Sequence, residues 1–229
     1  LKESGEIILN KLNKLLEIVK EKAFEHKETI MIGRSHGIHA EPITLGFVFA
    51  NWYAELKRNK KRLINGIESI SVGQISGAVG TFSFLEPEIE EDVCKILGLS
   101  FDEISTQVIS RDRHLDFFYS LSAIAATLDK FAITIRHLQR TEVKEVEEYF
   151  HIKQKGSSAM PHKKNPISLE NISGLSRIIK SNLITAFENV NSKLFRSSFG
   201  YKVRKYLNTL SFNQFHYTIC MCCSRLIRI

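Results

Sequence analysis

Apolar residues recur along most of the chain at alternating steps of three and four, the spacing of one face of an α-helix. The longest such stripe lies between Gly98 and Gly156, a stretch without glycine or proline, and includes Phe117, Phe118, Leu121, Ile124, Leu128, Phe131, Ile135 and Leu138. It predicts a helix over residues 110–148, about 57 Å long at roughly 1.5 Å per residue. So long a helix needs neighbours to cover its apolar face, and the pattern therefore predicts an all-α bundle of long helices.

Shorter patterns predict further helices over residues 6–25, 43–70 and 87–97, and from Asn165 onward. Pro87 suits a first turn and Gly98 suits a helix stop. Asn165 is expected to cap the last helix with its side chain, with Pro166 at the first helical position. Large apolar side chains on these helices are interpreted as core or interface rather than as site residues: Trp52, Tyr53, Phe131, Ile135 and Leu138.

Three segments between the helices have compositions unsuited to packing alone: residues 33–44, residues 76–81 with the later Thr106 and Gln107, and residues 151–165. The third combines four lysines, two serines and a glycine just before a helix start. Free N–H groups at that start and the lysines would face the same space, which predicts a site for a carboxylate or a phosphate. In that positive field Ser157 or Ser158 is a candidate base. The alternative is a solvated loop with a helix cap.

Two histidines in the first segment are candidates for proton transfer at neutral pH, because histidine titrates in that range. His36 and His39 are three residues apart and lie among Gly33, Gly37 and Pro42. No third ligand with matching spacing stands out, so we predict no metal site. Two ordinary turn histidines remain the alternative. The segment at residues 76–81 lacks the lysine of a phosphate loop and is interpreted as a close backbone approach beside a site.

Composition favours an ordinary globular protein, with 43% hydrophobic and 25% charged residues in 229. No run approaches about 18 consecutive apolar residues, and residues 1–6 carry no export signal, so we expect a cytoplasmic protein without a membrane partner. A disulfide framework is not expected, since three of the four cysteines fall in the last ten residues.

The charge divides the chain in two. Residues 191–229 hold seven of the 32 basic residues and none of the 25 acidic ones. We therefore expect an incomplete central helical domain over residues 1–190 and an atypical basic tail over residues 191–229. The abrupt change favours a frame-shifted or misjoined tail, a hypothesis that peptide mapping of the natural protein would test. Nucleic-acid binding through the tail is not favoured, because no recognisable module accompanies the charge.

The motif GSSAMPHKKNPI, residues 156–167, resembles the signature of the fumarase/aspartase superfamily, whose members release fumarate by β-elimination of a C–N or C–O bond. Three further stretches resemble its adenylosuccinate lyase family: GRSHGIHAEPITLG at 33–46, SGAVGTF at 76–82 and STQVISRDRH at 105–114. His162 before Lys163 fits the same family. The similarity runs from residue 1 to residue 190.

The resemblance implies a role for each motif residue. Ser157 would be the general base on the carbon beside a succinyl carboxylate, and His36 the general acid on the departing nitrogen. Lys163 and Asn165 would hold the succinyl carboxylates. The further substrate contacts would be Ser35, Gln107, Ser158 and Asn171. Neither a cofactor nor a metal is implied.

The implied activity is cleavage of adenylosuccinate to AMP and fumarate, and of the succinyl-carboxamide ribonucleotide of purine synthesis. The implied assembly is a homotetramer with active sites shared among three subunits. The family also has an amino-terminal domain and phosphate-binding residues that find no match here, so we expect a fragment. The alternatives are another superfamily enzyme, such as carboxymuconate cycloisomerase, and a non-catalytic helical remnant.

Overall fold

A computed structural model of the chain describes residues 1–148, 159–160 and 163–190. Its helices are α1 (Lys2–Glu25), α2 (Leu45–Ile70), α3 (Pro87–Ile96), α4 (Asp112–Leu138) and α5 (Ile167–Val190). Its strands are β1 (Ile30–Ser35), β2 (Ile38–Thr44), β3 (Val72–Gly73) and β4 (Ser100–Phe101). Long helices dominate, which confirms the predicted all-α, long-helix fold class.

The four long helices run alternately up and down. Two side-chain contacts pair the beginning of one helix with the end of its neighbour, Ser69 of α2 with Asp116 of α4 and Arg136 of α4 with Glu170 of α5. Two more join the middles of the same helices, Asn59 with Thr127 and Asp129 with Lys180. Helix α1 packs along α2, and the backbone N–H of Gly46 at the start of α2 donates to the carbonyl of His26 after α1. The bundle therefore has two ends, and the loops within the described residues lie at one or the other.

The core is the apolar stripe of α4 packed against α1, α2 and α5. Trp52 stacks on Phe131 with ring centroids 4.2 Å apart, and Phe49 meets Trp52 edge-on at 5.4 Å. Every stripe residue named from the sequence is buried: Phe117, Phe118, Leu121, Ile124, Leu128, Phe131, Ile135 and Leu138. The predicted packing role of Trp52 is confirmed, while Tyr53 is only partly buried at the edge of this core.

Helix α4 is shorter than predicted. It has 27 residues and so is about 40 Å long at roughly 1.5 Å per residue, ending at Leu138 rather than near residue 148. The chain then turns, with the N–H groups of Val143 and Lys144 both donating to the carbonyl of Arg140 at 2.9 Å. Lys144 takes a left-handed backbone conformation with φ of 50°. The absence of glycine and proline was not enough to prolong the helix, because the apolar stripe itself stops at Leu138.

Residues 113–138 of α4 are long and apolar enough to span a membrane by length and composition alone. In the bundle, however, 61% of the apolar 18-residue stretch within this helix is buried. The apolar surface of α4 is thus explained by its neighbours α2 and α5.

One end of the bundle, which we call the hairpin end, comprises residues 26–44, 139–148 and 163–171. Strands β1 and β2 pair there as an antiparallel hairpin with an irregularity between Ile32 and Arg34. Thr44 then caps α2, its hydroxyl accepting from the N–H of Phe47 at 3.2 Å. The hairpin is a departure from the purely helical prediction.

The opposite end, which we call the α3 end, comprises residues 71–111. Strands β3 and β4 form a short parallel pair, and α3 packs beside them over almost the range predicted for it. The buried carboxylate of Glu90 on α3 accepts from the N–H of Ile75 at 2.5 Å. This bond fixes the segment after β3 to α3.

Candidate active site

The hairpin presents two of the predicted site residues at its tip. Ser35 ends β1 and His36 opens the turn, and both are exposed. His36 has φ of 53° and Gly37 has φ of 81°. Left-handed backbone is uncommon for a residue with a side chain, and here it lets the chain reverse at the tip of the hairpin. The general-acid candidate is therefore accessible to a ligand.

A partly buried ion pair fixes the base of this tip. The guanidinium of Arg34 donates two bonds to the carboxylate of Glu145, at 2.8 and 2.5 Å. Each side chain is less than a quarter exposed. Hydrogen bonding from Arg34 holds the pKa of the Glu145 carboxyl below its ordinary value, against the opposing effect of partial burial. The planar two-bond geometry fixes direction as well as distance.

The start of α5 corrects two predictions made from the sequence. The buried carboxylate of Glu148 caps this helix, accepting from the N–H groups of Ser168 and Leu169 at 3.1 Å each. Asn165 contributes its backbone carbonyl, which accepts from the N–H of Ile167 at 2.9 Å. The expected capping of the helix by the Asn165 side chain was therefore wrong, and the helix begins after Pro166 rather than at it.

The same contacts overturn the argument for an anion site made of free N–H groups. The N–H of Glu170 donates to the carbonyl of Pro166, so the first four N–H groups of α5 all have acceptors. The carboxylate of Glu148 also offsets the positive end of the helix dipole. Among the described residues, the N–H groups of residues 167–170 are therefore not available to an anion, whereas the side chain of Lys163 is exposed.

Three predicted residues lie around this helix start. Lys163 donates its backbone N–H to the carbonyl of Met160 at 3.0 Å, and Asn165 is partly buried. Asn171 is exposed on the second turn of α5. The predicted base Ser157, the contact Ser158 and the family-specific His162 lie outside the described residues. The structure thus places Ser35, His36, Lys163, Asn165 and Asn171 at the hairpin end.

Gln107 lies at the other end of the bundle. Its loop is fixed to the start of α4 by the ion pair of Asp102 with Arg113, at 2.7 Å, and to the segment after β3 by a bond from Gln74 to the carbonyl of Thr106 at 3.0 Å. Most of the length of α4, about 40 Å at roughly 1.5 Å per residue, separates it from the hairpin end. Within one chain, Gln107 and His36 cannot contact the same small molecule.

The segment at residues 76–81 lies beside Gln107, and its predicted close approach is confirmed. Gly80 has φ of 83°, and a Cβ there would collide with the carbonyl oxygen of Ser105. The hydroxyls of Ser76 and Ser105 are 3.0 Å apart. Glycine is therefore required at residue 80 to bring this segment against the loop of Gln107.

Sequence reasoning missed the residues that hold the hairpin end together, namely Arg34, Gln139, Glu145, Glu147 and Glu148. Arg34 lies inside the motif at residues 33–46, but its partner is 111 residues away. The four others lie where the sequence predicted helix, and no local pattern marks them. A cavity of about 510 Å³ lies under the hairpin, with Arg34, His137 and Arg140 at its margin. Over residues 1–148, 159–160 and 163–190, no three His, Cys, Asp or Glu side chains are grouped to hold a metal ion.

Solved structures share this architecture. The 3-carboxy-cis,cis-muconate lactonizing enzyme of Pseudomonas putida superposes with a TM-score of 0.83 at 27% identity, covering 100% of this chain and 52% of that one. A fumarate lyase from Mesorhizobium sp. BNC1 also gives a TM-score of 0.83, at 22% identity, covering 98% and 51%. The second likeness shows the fold alone.

Curated relatives are nearer in sequence. The adenylosuccinate lyase of Synechocystis sp. is 53% identical over 187 residues, which are 82% of this chain and 43% of that protein. The adenylosuccinate lyase of Bacillus subtilis is 51% identical over 190 residues, 83% of this chain and 44% of that protein. The chain spans less than half the length of these relatives. A family model described as "Lyase" matches residues 1–180, and the chain belongs to this lyase family.

Proposed function

We propose that this chain is the central part of a lyase that cleaves adenylosuccinate to AMP and fumarate, and that acts likewise on the succinyl-carboxamide ribonucleotide of purine synthesis. The observation that carries the proposal is the identity of 51–53% to adenylosuccinate lyases. The muconate lactonizing enzyme shares the fold at about half that identity. Proteins of one superfold host several chemistries, so sequence identity over most of the chain weighs more than shape.

The proposed reaction is an acid/base β-elimination. Ser157 takes a proton from the carbon next to a succinyl carboxylate, and the electron pair moves onto that carboxylate. Lys163 and Asn165 stabilise the added charge, because fixed cationic and N–H donors act where charge develops. The carbanion electrons then form the double bond of fumarate as the C–N bond breaks. His36 gives its proton to the leaving nitrogen.

The remaining contacts of this proposal are Ser35, Ser158, Gln107 and Asn171, with no cofactor and no metal. Because Gln107 and His36 lie at opposite ends of the bundle, we propose that each active site takes its residues from more than one subunit, as the resemblance implies for a homotetramer. Exposed apolar side chains on the helices support association with further copies: Phe24, Phe47, Ile133, Ile184 and Phe187.

We also propose that the protein acts in the cytoplasm, that residues 1–190 carry the lyase role and that residues 191–229 take no part in it. The family match ends at residue 180, which supports that division. The non-native origin of the tail stays a prediction, and the tail lies outside the described residues.

The proposal is tested on protein purified from its natural source, by ultraviolet measurement of fumarate release from adenylosuccinate. We expect turnover with adenylosuccinate and none with 3-carboxy-cis,cis-muconate. Turnover of the muconate alone would instead assign the chain the activity of a carboxymuconate cycloisomerase. Turnover of neither substrate would leave a non-catalytic helical remnant.

A further inference from the structure

Glu148 is a buried charged residue that contacts both the start of α5 and Gln139. Its side chain is buried, with the residue 4% exposed. It accepts from Ser168 and Leu169 at the start of α5, and its own backbone N–H donates to Oε1 of Gln139 at 3.1 Å. A buried carboxylate is costly unless its oxygens are hydrogen-bonded. Both oxygens are bonded here, so its place is closely fixed.

The neighbours of Glu148 make the same connection. The amide of Gln139 also donates to the backbone carbonyl of Lys164 at 3.2 Å. The ammonium of Lys164 lies 3.0 and 3.3 Å from the two carboxylate oxygens of Glu147. These hydrogen bonds and the ion pair join residues 139–148 to residues 164–169. We call the hydrogen bonds made by Gln139 and Glu148 the clamp.

The clamp joins two parts of the candidate site. On one side it fixes the backbone of Lys164, which lies between Lys163 and Asn165, and the first turn of α5 that follows them. On the other, the same ten-residue segment carries Glu145, whose carboxylate holds Arg34 two residues before His36. Residues 139–148 therefore carry the attachment points of both the hairpin tip and the start of α5.

We propose that Glu148 is a positioning residue for the elimination: through the start of α5 it sets where Lys163 and Asn165 stand relative to the substrate carboxylates. This rests on the proposed function. Displacing a catalytic group by about 1 Å costs on the order of 100-fold in rate. A plain helix cap would instead contribute to stability and leave the rate of the surviving folded protein unchanged.

The test compares Glu148→Gln with two controls in the natural protein. Glu148→Gln keeps the size of the side chain but replaces one acceptor oxygen by an NH2 group that meets a backbone N–H. Glu147→Gln, one residue away, weakens only an exposed ion pair. Asp129→Asn weakens the ion pair with Lys180 that joins α4 to α5, away from the clamp. The readouts are kcat, KM, Tm and amide exchange at Ser168 and Leu169.

We expect Glu148→Gln to lower kcat about 100-fold, with a smaller change in KM and faster exchange at both amides. Asp129→Asn should lower Tm without lowering kcat, and Glu147→Gln should change kcat by less than about threefold. Normal kcat in Glu148→Gln overturns the proposal, as does unchanged exchange at residues 168 and 169.

If Glu148→Gln does not fold, Gln139→Met takes its place, since it removes two clamp bonds from a partly exposed side chain. A fall in kcat beyond that of Asp129→Asn supports the proposal, and an equal or smaller change overturns it. Failure of the proposed function is a separate result, because the unmodified protein would then release no fumarate while amide exchange still tests the clamp.

Discussion

The two ends of the bundle are held together by different kinds of contact. At the hairpin end, carboxylates do most of the joining: Glu145 with Arg34, Glu147 with Lys164, and Glu148 with the start of α5. At the α3 end, neutral bonds and close backbone approach join the loops, from Gln74 to Thr106, between Ser76 and Ser105, and at Gly80. Two carboxylates act beside them, Asp102 with Arg113 and Glu90 with the N–H of Ile75. The first arrangement depends mainly on charge, and the second depends more on the space between backbones.

The contrast bears on function because the predicted site residues are divided between the ends. The hairpin end carries proton-transfer and carboxylate-binding candidates, among them His36 and Lys163, and the α3 end carries Gln107. A substitution at one end should therefore alter the catalytic or binding step to which that end contributes. It should leave the structure of the other end unchanged unless it also disturbs the shared core.

The largest expected effect is at the hairpin tip. His36→Gln removes the proposed acid, and general acid catalysis contributes roughly 10²–10⁴-fold. We expect kcat for fumarate release to fall by that factor with Tm unchanged, since the side chain is exposed. His39→Gln, three residues further along the hairpin, is the matched control and should change kcat far less. Equal losses in both variants would contradict the assignment of the acid.

The core that joins the two ends is tested by Phe131→Ala. The ring is 2% exposed and stacks on Trp52. Removing a buried aromatic ring from a packed core costs about 3–5 kcal/mol of unfolding free energy. Urea denaturation should show this loss, with both ends unfolding in one transition. Phe84→Ala, at a side chain 96% exposed, should stay within about 0.5 kcal/mol. Separate transitions would show that the ends do not share this core.

At the α3 end, Gly80→Ala tests the role of close approach. The added methyl meets the carbonyl of Ser105, on a backbone with positive φ. We expect a loss of about 1–3 kcal/mol of unfolding free energy, together with weaker substrate binding through Gln107. Gly77→Ala is the matched control, because Gly77 also has positive φ but open space around its Cα. If both variants lose equally, backbone strain and not the collision is responsible.

The smallest expected effect concerns pH at the hairpin end. Because Arg34 lowers the pKa of Glu145, this pair contributes stability fully above the ordinary glutamate value of 4.5 and loses it as pH falls through the lowered value of the folded protein. Glu145→Gln should therefore lower Tm at pH 7, with the difference from the unmodified protein vanishing in strong acid. Glu91→Gln, in an exposed pair at the α3 end, should show little difference at either pH. A difference for Glu145→Gln that persists in strong acid would contradict this account.

Much of the fold follows from the periodicity of apolar residues. The helices were predicted within a few residues at most ends, because stripes of six or more apolar residues bury one face whatever else the chain does. Two features were missed. The hairpin of residues 30–44 is short and mostly exposed, so it has little alternation of apolar and polar positions. The end of α4 depends on the turn around Lys144 rather than on any glycine or proline.

The site was only partly accessible from sequence. Motif residues such as His36 and Lys163 were found by resemblance, and the close approach at Gly80 by its glycines. The contacts that place them were not found, since Arg34 meets Glu145 across 111 residues and Glu148 caps a helix that begins nearly 20 residues later. Long-range bonds of this kind leave no local signature. For the cap of α5, the local sequence instead favoured the side chain of Asn165.

The division of the site between the two ends is tested most directly by mixing inactive variants. His36→Gln and Gln107→Leu are each purified, dissociated in mild denaturant and reassembled together, with distinguishable tags to confirm mixed assemblies. If His36 of one copy and Gln107 of another serve the same site, some sites in the mixture regain both residues. We predict fumarate release from adenylosuccinate well above that of either variant alone. Mixed assemblies with no recovered activity would contradict the account.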